Sequence, residues 1–110
     1  MKTLLLVLAL PILLTATPAR ADQTAAAVIA RQFPGVLATL PDNGGNLWVM
    51  VEPAAGATWN SLAAQICLAV RPAQARIFLV KVVDIASTRA SKKSSDWKLL
   101  GGANCSMVQQ

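Results

Sequence analysis

Residues Arg76–Asp84 read RIFLVKVVD, a near-continuous apolar run of the kind that forms a buried β-strand. Such a run fits a central strand that is covered on both faces of its sheet. Side chains alternate along a strand, so Phe78 and Val80 share one face while Leu79 and Lys81 share the other. Because only the second face carries a charge, we expect it to be the less deeply covered one.

A helix and a second strand precede this run. Apolar residues recur at helical spacing in Trp59–Val70, with Thr58 placed to cap the helix and Arg71-Pro72 to end it. Leu47–Glu52 alternates as a strand does. Strand, helix and strand in this order predict a βαβ unit in which the two strands run parallel.

The segment before this unit predicts a helix and a hairpin. Asp22–Phe33 is rich in alanine and is followed by the breaker pair Pro34-Gly35, which indicates a helix. Val36–Leu40 and Leu47–Glu52 flank the turn-forming residues 41–46, which indicates two antiparallel strands.

Beyond Asp84 the pattern weakens. We expect a long β-hairpin whose tip is Arg89–Asp96 and whose return strand is Trp97–Cys105. A short helix over Asp96–Leu100, closed by Gly101, is the competing interpretation.

The two cysteines, Cys67 and Cys105, predict a disulfide if the chain is exported, as its first 21 residues, described below, indicate, because an even number of cysteines in an exported chain favours pairing. The return strand would carry Cys105 to the end of the helix where Cys67 lies. Closing a loop of about 39 residues stabilises a fold by roughly 4 kcal/mol in the chain-entropy model. The sequence thus predicts a small two-layer α+β domain with a mixed sheet, element order α-β-β-α-β-β, and one disulfide.

Residues 1–21 have the parts of a secretory signal peptide: Lys2, the apolar run Leu4–Leu14 and the small-residue pattern Ala19-Arg20-Ala21. The run is too short to span a membrane, which needs about 20 apolar residues. We therefore expect a single domain over residues 22–110, located in the periplasm or secreted, with no transmembrane segment after cleavage. The formal charge is +5 for the whole chain. It falls to +3 when Lys2 and Arg20 are removed, which does not favour a nucleic-acid partner.

The chain contains no histidine and no tyrosine, so the commonest general base and metal ligand are missing. We expect no metal, no cofactor and no catalytic residue. The alternative is a small hydrolase that uses Glu52 and Asp84, which the βαβ unit would bring to the same end of two parallel strands.

Two surfaces are candidates for binding. Arg89, Lys92 and Lys93 concentrate positive charge at the expected hairpin tip. They would attract acidic lipid headgroups, an anionic envelope polymer or an acidic envelope protein, or they are simply the solvated tip of the hairpin, which is the interpretation we favour. Trp48 and Met50 lie on the strand face opposite Leu47 and could mark a partner surface, although we expect the first helix to cover them. The function predicted from sequence is a non-enzymatic binding protein of a bacterial-type cell envelope, or else a secreted inhibitor or effector.

Overall fold

The computed structural model describes residues 19–73 and 77–108. Within them three helices and four strands follow one another along the chain. They are α1 (Ala19–Arg31), β1 (Val36–Pro41), β2 (Asn46–Val51), α2 (Trp59–Val70), β3 (Leu79–Asp84), α3 (Ile85–Ala90) and β4 (Leu99–Asn104). Short 3₁₀ turns lie at Arg71–Ala73, Ser94–Asp96 and Cys105–Met107.

The four strands form one mixed sheet in the order β1-β2-β3-β4. The outer pairs β1–β2 and β3–β4 are antiparallel, and the central pair β2–β3 is parallel. The predicted hairpin, the parallel βαβ pairing and the central position of the opening strand are all confirmed. Arg76 lies outside the described residues, and β3 begins at Leu79. The preceding residue, Phe78, donates its backbone N–H to the Gly45 carbonyl.

One face of the sheet, here called the first face, carries the main core. Its fully buried side chains are Leu47, Val49, Val51, Val80 and Val82. Both α1 and α2 contribute to this core. Helix α1 buries two alanines one turn apart, Ala26 and Ala30, whose small side chains allow close approach to the sheet, while Val28 is exposed.

Helix α2 buries the predicted stripe. Ala63, Ile66 and Val70 are buried, and Trp59 and Leu62 pack against the same core. Cys67, beside this stripe, is bonded to Cys105, which confirms the predicted disulfide. The Arg71 guanidinium donates to the backbone carbonyls of Cys105 and Val108 at 3.1 and 2.9 Å. The C-terminal end of α2 is therefore joined to Cys105–Val108 by the disulfide and by the hydrogen bonds of Arg71.

The connection between β3 and β4 differs from the prediction. Ile85–Ala90 is a helix and does not extend the strand, so residues 89–96 are not a hairpin tip. The Asp84 carboxylate accepts the Ala86 N–H at 2.9 Å, and the Ser87 hydroxyl donates to the Asp84 carbonyl at 2.6 Å. These side-chain bonds cap a helix start and end the strand there. The competing prediction of a helix at Asp96–Leu100 is also wrong, because β4 begins at Leu99.

The predicted signal segment falls almost wholly on residues 1–18, outside the described part of the chain, and Ala19–Ala21 form the first turn of α1. No helix among the described residues is long and apolar enough to cross a membrane.

Candidate binding site

The second face of the sheet is built from three cross-strand rows of side chains. Paired residues on neighbouring strands share a face, so the pairing registers define the rows. From the beginning of β2 to its end they are Asn46–Leu79–Asn104, Leu40–Trp48–Lys81–Gly102 and Ala38–Met50–Val83–Leu99.

The cover on this face is concentrated on Met50 and Val83, the two central residues of the last row, and on the neighbouring Trp48, while Leu99 at the end of the last row is exposed. Met50 and Val83 pack with Ile85 and Trp97, which come from α3 and from the segment before β4. The prediction that the first helix covers Trp48 and Met50 is wrong, because the buried residues of α1 belong to the core on the first face. The expectation that the face with Lys81 is the less deeply covered one is met at Leu79 and Lys81, which are half-buried, but not at Val83, which is fully buried on the same face. The cover therefore ends in the middle of the sheet.

Asp42 organises the turn that leads into β2. Its carboxylate accepts the backbone N–H groups of Gly44 and Asn46 at 2.8 and 3.1 Å. The Asn46 side-chain amide donates to both carboxylate oxygens, at 3.3 and 3.0 Å, and the Trp48 indole donates to Oδ2 at 2.9 Å. An aspartate that binds the backbone two residues ahead is a common turn former. Gly45 takes the positive φ of 84° that the turn requires.

The pKa of the Asp42 carboxyl lies below its ordinary value of 3.8. Burial acts to raise this pKa, but the hydrogen bonds from Trp48, Asn46 and Gly44 together outweigh it. The carboxylate is therefore ionised at neutral pH, and its two oxygens accept hydrogen bonds from the turn and from Trp48 of β2.

The two tryptophans of the second face meet at an angle. Trp48 and Trp97 form an edge-to-face pair with ring centroids 5.0 Å apart and planes at 89°. The Trp97 indole N–H donates to the Ser91 carbonyl at 2.7 Å, and that of Trp48 to Asp42. With both indole N–H groups bonded, the rings are fixed in place.

Lys81 lies beside this pair, in the middle of β3. Its ammonium nitrogen is 4.9 Å from the centroid of the Trp48 ring, a cation–π contact. Within the described part of the chain it makes no ion pair. Its paired residue on the neighbouring strand β4 is Gly102, which has no side chain that could cover Lys81. Lys81 is thus a half-buried cation without an ion-pair partner among residues 19–73 and 77–108.

A pocket of about 360 Å³ opens where the cover ends. Its floor comes from the sheet and the preceding turn, and its wall comes from the segment between α3 and β4. The lining residues are Asp42, Asn46, Trp48, Lys81, Ser94, Ser95, Trp97 and Leu99. Asn46 Oδ1 is buried and accepts no hydrogen bond among the described residues. A volume of this size suits a small molecule or one or two side chains of a partner.

The predicted basic residues lie beside this pocket along the chain but do not line it. Arg89 is exposed in the last turn of α3, and Lys92 and Lys93 are exposed immediately before Ser94. Since Ser94 and Ser95 form part of the pocket wall, the lysines flank it in sequence. Their role in binding remains a prediction.

The predicted carboxylate pair lies elsewhere. Glu52 directly follows β2 and is exposed, and Asp84 is paired with Val51 at the end of β3. The two residues therefore do come to the same end of the parallel strands, away from the pocket floor. The Asp84 carboxylate is engaged in capping α3.

Of the residues that line the pocket, only Trp48 was predicted as a possible binding residue. The charged groups and the second ring, Asp42, Lys81 and Trp97, were missed, as were Asn46, Ser94, Ser95 and Leu99. Alternation along β2 and β3 does place Trp48 and Lys81 on the same face of the sheet, and the parallel register makes them neighbours. Nothing local in the sequence indicates that Trp97 folds back onto Trp48.

No group of three or more histidine, cysteine or acidic residues comes together among the described residues. Comparison of the chain with models of protein families, with curated proteins and with solved structures gave no significant match.

Proposed function

We propose that this chain is an exported, non-enzymatic binding domain of a bacterial-type cell envelope, and that it recognises another macromolecule through the second face of its sheet. The observation that carries the proposal is the pocket in which Lys81 and the fixed Trp48–Trp97 pair lie beside the exposed Leu99. Tryptophans with fixed rings, an unpaired cation and an exposed aliphatic side chain are what binding surfaces combine.

Two further features support this function. The Cys67–Cys105 disulfide is compatible with an oxidising compartment outside the cytoplasm. The sheet exposes aliphatic side chains on both sides of the pocket, Leu40 in the row of Trp48 and Leu99 in the row of Met50. A hydrolase at Glu52 and Asp84 is less favoured, because Asp84 already serves as a helix cap.

Photo-crosslinking from the second face tests the proposal. A photoreactive p-benzoylphenylalanine replaces Leu99 in the protein expressed in its own host. The same probe at Val28 on α1 is the matched control, because the two side chains are similarly exposed, 59% and 53%. We expect one envelope component, identified by mass spectrometry, to be crosslinked from position 99 and not from 28. No adduct from position 99, or the same adduct from both positions, would overturn the proposal.

A further inference from the structure

We infer that the pocket on the second face binds a carboxylate that stands next to an apolar side chain on a partner protein, with Lys81 as the cation that receives the carboxylate. This inference rests on the proposed function and adds to it the chemistry of the ligand.

The pocket is lined by one charged group of each sign, and Lys81 is the one whose hydrogen-bonding groups are free for a ligand. Asp42 and Lys81 both line it, but they differ in what they already bind. The carboxylate of Asp42 accepts from Gly44, Asn46 and Trp48, which occupies both oxygens. Lys81 has the aromatic contact with Trp48 and forms no ion pair in the described part of the chain. A carboxylate would give this half-buried ammonium the ionic hydrogen bond that it lacks.

The rest of the pocket wall is partly apolar. Leu99 is 59% exposed and Trp97 is half-buried, so both present carbon surface to a ligand. Trp48 is only 8% exposed and contacts both Lys81 and Trp97, so it belongs to the pocket floor and is not itself a stacking surface. Ser94 and Ser95 add hydroxyls that can donate to a second carboxylate oxygen.

A pocket that combines a cation with exposed apolar side chains favours a protein segment over a polyanion as its ligand. A polymer of phosphates or sugar acids is hydrated along its length and gains nothing from contact with Leu99 or Trp97. A protein segment can present a carboxylate and an aliphatic side chain a few ångströms apart, and a pocket of about 360 Å³ holds such a pair. The exposed Lys92 and Lys93, next in sequence to the pocket wall, would speed the approach of an acidic partner.

Small mimics of such a segment test the inference. N-acetyl-leucine carries the carboxylate and the apolar group, N-acetyl-leucinamide lacks the charge, and N-acetyl-glycine lacks the apolar group. The readout is the shift of the three indole N–H signals in ¹⁵N-edited NMR spectra of the disulfide-bonded protein. Trp48 and Trp97 report on the pocket, and Trp59, which packs in the core of the first face, is an internal control.

We expect N-acetyl-leucine to shift the signals of Trp48 and Trp97 saturably, with a Kd on the order of 1 mM, and to leave Trp59 unchanged. The amide and the glycine derivative should each bind about tenfold more weakly. A peptide with a glutamate after leucine and an amidated end then distinguishes a side-chain carboxylate from a chain terminus.

Two variants link the result to Lys81. Lys81→Met keeps the aliphatic stem over Trp48 and should abolish the preference for the acid over the amide, while Lys81→Arg should retain it. Arg31→Met removes an equal charge from the exposed end of α1 and should change nothing. Equal binding of acid and amide to the wild type, an unchanged preference in Lys81→Met, or tighter binding of inorganic polyphosphate at the same indoles would overturn the inference.

The two proposals fail separately. A specific crosslink from position 99 together with equal binding of acid and amide would support the second face as a binding surface and contradict the carboxylate ligand. Saturable, acid-selective binding of N-acetyl-leucine without any crosslink would support the carboxylate site and contradict a macromolecular partner.

Discussion

The indole N–H of Trp48 donates to Asp42 Oδ2 at 2.9 Å, and this bond joins the turn before β2 to the floor of the pocket. The same carboxylate holds the turn through Gly44 and Asn46. One side chain therefore fixes both the hairpin and the ring against which Lys81 and Trp97 pack.

Asp42→Asn should destabilise the fold by about 1–3 kcal/mol, because an amide cannot accept at both positions and brings its own N–H groups toward the donors. Denaturant unfolding of the disulfide-bonded protein measures this loss. Asp96→Asn is the matched control, since the carboxylate of Asp96 is exposed and accepts from the Ser91 hydroxyl. We expect the control to cost less than about 0.5 kcal/mol. Equal losses in the two variants would contradict the role assigned to Asp42.

The contribution of Asp42 should also depend on pH. Its pKa in the folded protein is below 3.8, the ordinary value that the unfolded chain retains. Folding therefore favours the charged form of Asp42. The stabilisation is fully present above the pKa that Asp42 has in the unfolded chain, and it is lost as the pH falls through the lower pKa of the folded protein. The stability difference between wild type and Asp42→Asn should be constant from about pH 5 to 7 and shrink below about pH 4. A difference that grows on acidification would show the opposite sign.

Gly101→Ala should destabilise the contact between α2 and β4 by about 1–3 kcal/mol. A Cβ at Gly101 would lie 2.7 Å from Asn60 Oδ1 and 2.8 Å from Trp59 Cβ, closer than such atoms can approach. The same Asn60 oxygen accepts the Gly102 N–H at 2.9 Å, so a shift of Asn60 would also break that bond. Thermal unfolding measures the effect. In the control Gly44→Ala the nearest atom is 3.4 Å away, and a similar loss there would mean that crowding is not the cause.

Removal of the disulfide, in the double variant Cys67→Ser with Cys105→Ser, should cost about 2–5 kcal/mol, as expected for a bridge in a small domain. The bridge spans 38 residues and ties the end of α2 to the end of β4. Unfolding of the oxidised wild type, the reduced wild type and the double variant measures the cost. Reduced wild type and double variant should agree. Unchanged stability on reduction would contradict a structural role for the bridge.

Much of the fold could be predicted because its signals are local and periodic. The stripe in Trp59–Val70 defines α2, alternation in Leu47–Glu52 defines β2, and the strand-helix-strand order implies parallel pairing. The positions of Cys67 and Cys105 then agree with a return strand beside β3, as found.

The segment after Asp84 could not be predicted in the same way. Ile85-Ala86-Ser87-Thr88 suits a strand as well as a helix, and six residues are too few to show helical periodicity. The choice depends on the Asp84 cap and on Ile85 packing against Met50 and Val83, a contact distant in sequence. The pocket depends on this segment, since Trp97 and the two serines reach it only after α3 has turned the chain. Of the candidate site, the sequence therefore predicted only Trp48, and Arg89, Lys92 and Lys93 do not line the pocket.

The most direct test of the binding face is the affinity of the crosslinked partner for two variants with the same kind of change. Leu99→Ser removes an exposed aliphatic side chain from the pocket, and Val28→Ser removes a similarly exposed one from α1. We predict that Leu99→Ser weakens binding at least about tenfold, or roughly 1.4 kcal/mol, and that Val28→Ser leaves the Kd unchanged. Equal Kd values for wild type and Leu99→Ser, or a loss confined to Val28→Ser, would contradict the assignment of the second face as the binding surface.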